Sequence, residues 1–466
     1  MTLARRQAAF AADLRFDDLP DAVVASVKAR VLDTLGIAFA ASSLDTSDAV
    51  RGVAAAWGGS PDAAAIGAPR RLPAHAAALV NGTLAHSLDF DDTHLPSILH
   101  PSACIVPAAL AAGQAARSPG REVVTAAAAA YELCVRLGMA AYDPRARNNV
   151  FFEKGLHATS ICGTIAAAVA AARLAGLGAD GIEAAIGIAA SMGAGLLEAN
   201  RAGGTVKRVH CGWAAHAGIA AAALATAGVT GPATVLEGRF GFFNALCDGE
   251  ADLEVTVDGL GERWETPGIH FKPYPANHFT HAGIDAALAL REAGLAAADV
   301  REIELGVAAP TLRTIAEPAA LKARPPSGYA AQFSGPFTVA TALTGGGGLG
   351  VYLDDFTDAR AADEELLALA ARVRCVPDPP SDELFPGALP GVLRVTLRSG
   401  ESREHRVTEN RGGPGRPLSP GELGLKFELN ASRALPDEAV ARLRDRCFDL
   451  DSLASLDDLT SCWEDS

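Results

Sequence analysis

The sequence predicts a mainly α protein: a large helical domain formed by residues 1–268 and 405–466, with a smaller α+β domain over 269–404 inserted between them. Three observations predict it. Apolar residues recur at helical spacing up to about residue 265, strand-period alternation begins only after about residue 268, and helical patterning returns toward the C-terminus. At 466 residues, 49% of them apolar, the chain can bury a large core.

The first clear helix follows Asp18 as N-cap, with Pro20 in its opening turn, and Val24, Val27, Val31 and Leu35 share one face. Further helices are expected near 74–86, 102–116, 121–140, 158–175, 181–198 and 210–228, many Ala-rich on several faces, as in a close-packed bundle. Gly176 or Gly178 ends the fourth of these. Segments 301–308, 371–376 and 391–398 alternate as strands, the last turning at Ser399-Gly400 into 402–407 as a hairpin. Helices are expected at 280–293, 329–343, 361–371, 420–430 and 436–447, the last two packing back on the first domain. The glycine run 345–348 lacks a following Lys-Ser/Thr and reads as a turn rather than a phosphate loop.

A net charge of −15 argues against a nucleic-acid partner and requires any anion site to be locally positive. Eight scattered cysteines without a CxxC pair read as reduced thiols in a cytoplasmic protein. Acidic residues from Asp13 onward exclude a signal peptide at the start of this sequence, and Arg173 cuts the apolar run 158–172 short, so no membrane partner is expected.

Only six of the 40 basic residues are lysine, and nine of the eleven histidines fall in four segments: 86–100, 157, 210–216 and 270–281. Lys154, Lys207 and Lys272 lie in or beside them. Each segment adjoins the expected start of a helix, where free amides and the helix dipole favour anions. The candidates are Asp89, Asp92, Thr93 and His100 in the first segment, then His157, Lys207 and His210, and Lys272 with His281. These residue types suit general acid/base work at a carbon next to a carboxylate: His or Asp moves the proton while Lys and amides stabilise the enolate-like charge. A metal site on Asp89, Asp92, His94 and His100 is the alternative on residue chemistry alone, although no HExxH or EF-hand spacing is present.

These motifs resemble the MmgE/PrpD family, which includes 2-methylcitrate dehydratase, cis-aconitate decarboxylase and iminodisuccinate epimerase. The resemblance runs from the helix around Leu32–Gly36 through DFDDT with His100-Pro101, GLHATS, KRVHCGWAAHAG and FKPYP to the helix near Leu418–Phe427. It implies a helical domain with an inserted α+β lid, a homodimer, and a lyase needing no cofactor or metal that acts on a small anionic di- or tricarboxylate. Dehydration of the 2-methylcitrate type is the leading expectation; epimerisation or decarboxylation are its variants, and a metal-dependent hydratase or hydrolase or a carboxylate-binding protein without activity are the alternatives. By motif position the resemblance implies Asp89, Thr93, His100, His157, Lys207 and Lys272 as site residues, with His157 and Asp89 moving protons and Lys207 and Lys272 binding carboxylates. His100, His210 and His281 orient or protonate. Phe337 stands where the family often has Tyr, and Asn277 and Ala158 also depart from the pattern.

Overall fold

The computed structural model describes residues 1–464 and resolves two compact units, Met1–Ile269 with Phe427–Ser466 and His270–Lys426. The first unit contains α1 (Leu3–Asp13), α2 (Asp21–Ala40), α3 (Asp45–Ala56), α4 (Ala74–Ala85), α5 (Ser102–Ala116) and α6 (Gly120–Ala140). A two-residue ribbon, β1 (Tyr142–Asp143) and β2 (Asn148–Asn149), leads to α7 (Val150–Glu153), α8 (Ala158–Leu174), α9 (Ala179–Ala189), α10 (Glu198–Ala202) and α11 (Val206–Thr226). Helix α8 packs against α5, α6, α9 and α11, which explains its alanines: every residue of α8 except Arg173 is buried. Small residues bring backbones together. A Cβ on Gly212 of α11 would sit 2.2 Å from the Leu79 carbonyl oxygen of α4, so these helices cross at a distance only glycine allows. Helix α6 is long and apolar enough to cross a membrane, but 94% of its apolar window is buried inside the unit, as in a core helix.

Three boundaries differ from the sequence expectation. Residues 16–18 form a 3₁₀ turn, so Pro20 rather than Asp18 occupies the N-cap of α2. The helix expected over 181–198 stops at Ala189, because Gly193 passes against the Ile161 backbone and Gly195 lies at φ +154°. Helix α11 starts at Val206, with Thr205 as its N-cap after Gly203 and Gly204 at positive φ, and so carries Lys207 and His210 in its first two turns.

The second unit is built on a four-stranded sheet in the order β4-β3-β5-β6: β3 (Val300–Val307), β4 (Val373–Pro377), β5 (Gly391–Leu397) and β6 (Ser402–Val407). β3 pairs parallel with β4 and antiparallel with β5, and β5–β6 form the expected hairpin with Gly400 at φ +93°. The helix expected over 329–343 is interrupted: Ser334 caps Gly335–Thr344, with Pro336 in its first turn. Asp363 likewise caps Glu364–Ala370 and splits it from Asp358–Ala361. The second boundary lies at 426/427, later than the 404/405 read from the sequence. Residues 408–426 stay with this unit in part because Arg411 N and Arg416 Nη1 both donate to Asp285.

Candidate active site

The polar cluster of the first unit starts where α4 ends. The chain turns through His86–Asp92, and Asp89 at the middle of the turn adopts φ +51°, a left-handed conformation that Asp tolerates better than most residues. Asp92 anchors the far end. Arg30 of α2 donates from Nη1 to Asp92 Oδ2 at 3.0 Å, and both side chains are at most 2% exposed. Ser102 N reaches Asp92 Oδ1 at 3.2 Å and Ser102 Oγ also donates to Asp92, while Ser102 Oγ lies 2.6 Å from the Tyr131 hydroxyl. Arg30 Nη2 donates to the Ile269 carbonyl at 2.6 Å. Asp92, one of the candidate site residues, therefore has its carboxylate engaged as the brace that fixes this turn to α2 and α5.

The histidines gather around the turn. His100 Nδ1 is 2.6 Å from the Asp92 carbonyl and 3.3 Å from Thr93 Oγ1, and its backbone N–H donates to Thr159 Oγ1. A carbonyl only accepts, so the His100 proton sits on Nδ1 and, in the neutral ring, Nε2 is an acceptor. His157 is the N-cap residue of α8, with its N–H bound to the Gly195 carbonyl. Its Nδ1 meets His210 Nδ1 at 3.1 Å, an arrangement that holds one proton between the two rings. Gly195 lies so close that a Cβ there would be 3.0 Å from the His157 Cβ. Lys207 Nζ stands 3.9 Å from Asp89 Oδ1. Burial, then the charges of His86, Lys207, His210 and His100, hold His157 well below the ordinary imidazole pKa; burial, His86 and Lys207 bring His210 down to about 4. The structure thus brings together Asp89, Asp92, Thr93, His100, His157, Lys207 and His210.

Lys272 and His281 belong to the second unit, 1% and 0% exposed. There His281 Nε2 lies 3.1 Å from the Ala276 carbonyl, and the rings of Tyr274, His281, His278 and His270 follow one another at centroid spacings of 5.1, 4.6 and 5.7 Å. Asn277 caps the 3₁₀ turn His278–Thr280. Phe337 is fully buried in this unit's apolar core beside Phe356, so its ring serves packing.

The donor set of the metal alternative does not converge. Asp92 is taken by Arg30, His94 Nδ1 lies 2.8 Å from Ser97 Oγ with Glu265 at its other nitrogen, and His100 Nδ1 is spent on a carbonyl. Among the described residues no group of three or more His, Cys, Asp or Glu side chains is arranged to hold a metal ion. Among the residues of the cluster that sequence reasoning passed over are Arg30, Tyr131, and His86 with its partner Asp91. His86 opens the histidine-rich segment and was visible there; Arg30 and Tyr131 sit in ordinary helical stretches and gave no signal.

Residues 5–254 match the family model of the MmgE/PrpD N-terminal domain, and residues 274–450 that of the MmgE/PrpD C-terminal domain. The chain is 29% identical over 460 residues to cis-aconitate decarboxylase of Homo sapiens, covering 96% of this chain and 90% of the relative. Cis-aconitate decarboxylase of Mus musculus is 28% identical, covering 96% and 89%. That of Aspergillus terreus is 31% identical over 290 residues, covering 59% and 58%.

Proposed function

Because this chain belongs to the MmgE/PrpD family, we propose that it is a lyase acting at a carbon next to a carboxylate, and that its reaction is decarboxylation of a small unsaturated tricarboxylate of the cis-aconitate kind. The observation that carries the reading is the buried His157–His210 pair beside Lys207 and Asp89. In such a reaction the bond to one carboxylate breaks and carbon dioxide leaves. The electron pair forms a new double bond, the old one shifts its pair toward a remaining carboxylate, and the carbon next to that carboxylate takes a proton. Lys207 stabilises the transient negative charge, and the His157–His210 pair delivers the proton. Asp89 keeps Lys207 directed, and Asp92 braces the turn. We assign carboxylate binding to Lys272, as the family resemblance implies.

Loss of water from a hydroxy acid of the 2-methylcitrate type is the second reading. It is favoured by His100, a further proton-transfer group beside Thr93. Proton NMR in deuterated water, with chelator and a panel of cis-aconitate, citrate, 2-methylcitrate and iminodisuccinate, tests both. Deuterated decarboxylation product from cis-aconitate is the expected outcome. Water loss or exchange without loss of carbon moves the assignment to dehydratase or epimerase. Turnover only after a metal is added, or tight binding without exchange, overturns cofactor-free lyase chemistry.

A further inference from the structure

His86 lies at the C-terminal end of α4 with its ring fully buried, and its Nδ1 is 2.6 Å from Asp91 Oδ2. A separation of five residues lets Asp91 fold back onto the ring, and Asp89 is the residue at positive φ that makes the reversal. The pair therefore closes the turn that presents Asp89. Its ring also lies within the histidine cluster: the His86 centroid is 5.2 Å from that of His157, at 31° between planes, and 5.9 Å from that of His100. The groups that act on it are Asp91 from its own turn, His100, His157 from α8, and Cys211 from α11, which lies with Cys104 of α5 in a small buried cluster at the end of α4.

We infer that His86 and Asp91 form a positioning pair for the reaction, one that fixes the turn carrying Asp89 and holds a positively charged ring against His157, so that His157 holds its proton weakly and gives it up readily. The inference rests on the reading of His157 as the proton-transfer group.

Chemistry and geometry agree on the charge. A buried imidazolium needs an anionic partner at hydrogen-bond distance, and Asp91, 3% exposed, is such a partner. Burial opposes protonation of His86, but the charges of Cys211 and Asp91 and the hydrogen bond to Asp91 prevail and raise its pKa to about 10. Burial likewise opposes ionisation of Cys211, yet the hydrogen bond from Cys104 and the charge of His86 lower it to about 6. A unit charge at this distance in a partly shielded interior displaces a neighbour's titration by about 1–2 pH units. Burial first, then the charges of His86 and Lys207, give His157 the lower pKa of these two neighbouring histidines. The effect reaches His210 too, on which the His86 charge also acts.

The test is a histidine titration by NMR on the full chain labelled at histidine carbon, with the His157 signal assigned from His157→Gln. In the wild type His157 titrates below the ordinary imidazole range, while His86 remains protonated at pH 8. In His86→Gln the His157 midpoint rises by about 1–2 pH units, and in Asp91→Asn it rises by less, because His86 is kept but loses its charge partner. A His157 midpoint unmoved in both variants, with the fold preserved by circular dichroism, overturns the pair. Where neither variant folds, the wild-type titration decides: a His86 that is neutral by pH 7 overturns it. The pH profile of kcat/KM separates this from the functional reading. A His157 titration that moves while the limb of the profile stays fixed overturns His157 as the proton-transfer group, whereas an unmoved titration overturns only the pair.

Discussion

In the second unit Asp378, 3% exposed, accepts from Arg406 Nη1 at 2.6 Å, from Arg394 Nη2 at 3.1 Å and from Ser381 Oγ at 2.7 Å. In the first unit Asp89 is as deeply buried, yet its cationic neighbour Lys207 stands 3.9 Å away, and around them titratable rings of like tendency face one another. Around Asp378, opposite charges meet and the arginines and the carboxylate titrate farther from neutrality. Around His157, burial and neighbouring positive charges push two histidines down while His86 is pushed up. A satisfied network holds structure together. A frustrated one costs stability and keeps groups poised to change protonation, which is the physical mark of a working site.

The comparison is broken or sharpened first at His157 and Lys207. His157→Ala and Lys207→Ala are expected to lower turnover by about 10³–10⁴-fold, or about 4–5.5 kcal/mol of barrier, while thermal unfolding stays within a few degrees of the wild type. A melting temperature that collapses in both variants makes the cluster structural and removes the contrast with Asp378.

The next largest effect is expected inside the first unit, at a pair that resembles Asp378 rather than Asp89. Arg30→Met leaves the Asp92 carboxylate buried without its cation, and removal of one partner of a buried pair costs about 3–5 kcal/mol. Chemical denaturation of the variant against Asp92→Asn checks it, because the second change keeps the shape of the brace and removes the charge instead. A loss under 1 kcal/mol in Arg30→Met contradicts the bracing role. Below these comes Gly212→Ala, expected to cost about 1–3 kcal/mol, since its Cβ meets the Leu79 oxygen at 2.2 Å and the Thr83 nitrogen at 2.7 Å. The same helix carries Lys207 and His210, so turnover falls with stability; turnover unchanged with reduced stability separates the helix crossing from the site.

Much of this was legible because rare residue types stood out against an Ala- and Arg-rich background. Lysine and histidine clustering led to His157, Lys207 and His210, and the helices α5, α6 and α8 followed from apolar pattern to within a residue or so. What stayed hidden depends on direction rather than type. In Asp89-Phe90-Asp91-Asp92 the sequence offers three equivalent carboxylates, and only the positive φ at Asp89 decides that Asp91 turns back to His86 while Asp92 turns to Arg30. Arg30 is one arginine among many in a regular helix, with no spacing to mark it. The break at Ser334 was missed for a related reason: residues 329–343 carry helical spacing throughout, and the local cap overrode it.

The smallest expected effect is at Asp378 and has a pH signature. Arg406 first, with Ser381 and Arg394 and against the opposing effect of burial, holds its carboxyl below the usual carboxylate range. A depressed folded-state pKa stabilises the protein above the unfolded value of about 3.9, and the stabilisation is lost as pH falls through the folded value. Asp378→Asn keeps an N-cap for the helix Pro379–Leu384 and removes only the charge. Arg394 and Arg406 are 38% and 29% exposed, so solvent screens the pairing and the expected loss is about 1 kcal/mol at pH 7. Urea unfolding of the variant and wild type at pH 7, 5 and 3.5 reads the difference, which is expected to be constant between the first two and smaller at the third. A difference that grows toward low pH means that the aspartate is protonated at neutrality, and the two networks are then alike. Turnover at pH 7 is expected to be unchanged by Asp378→Asn. That leaves a buried carboxylate whose loss costs stability and not rate, the converse of His157.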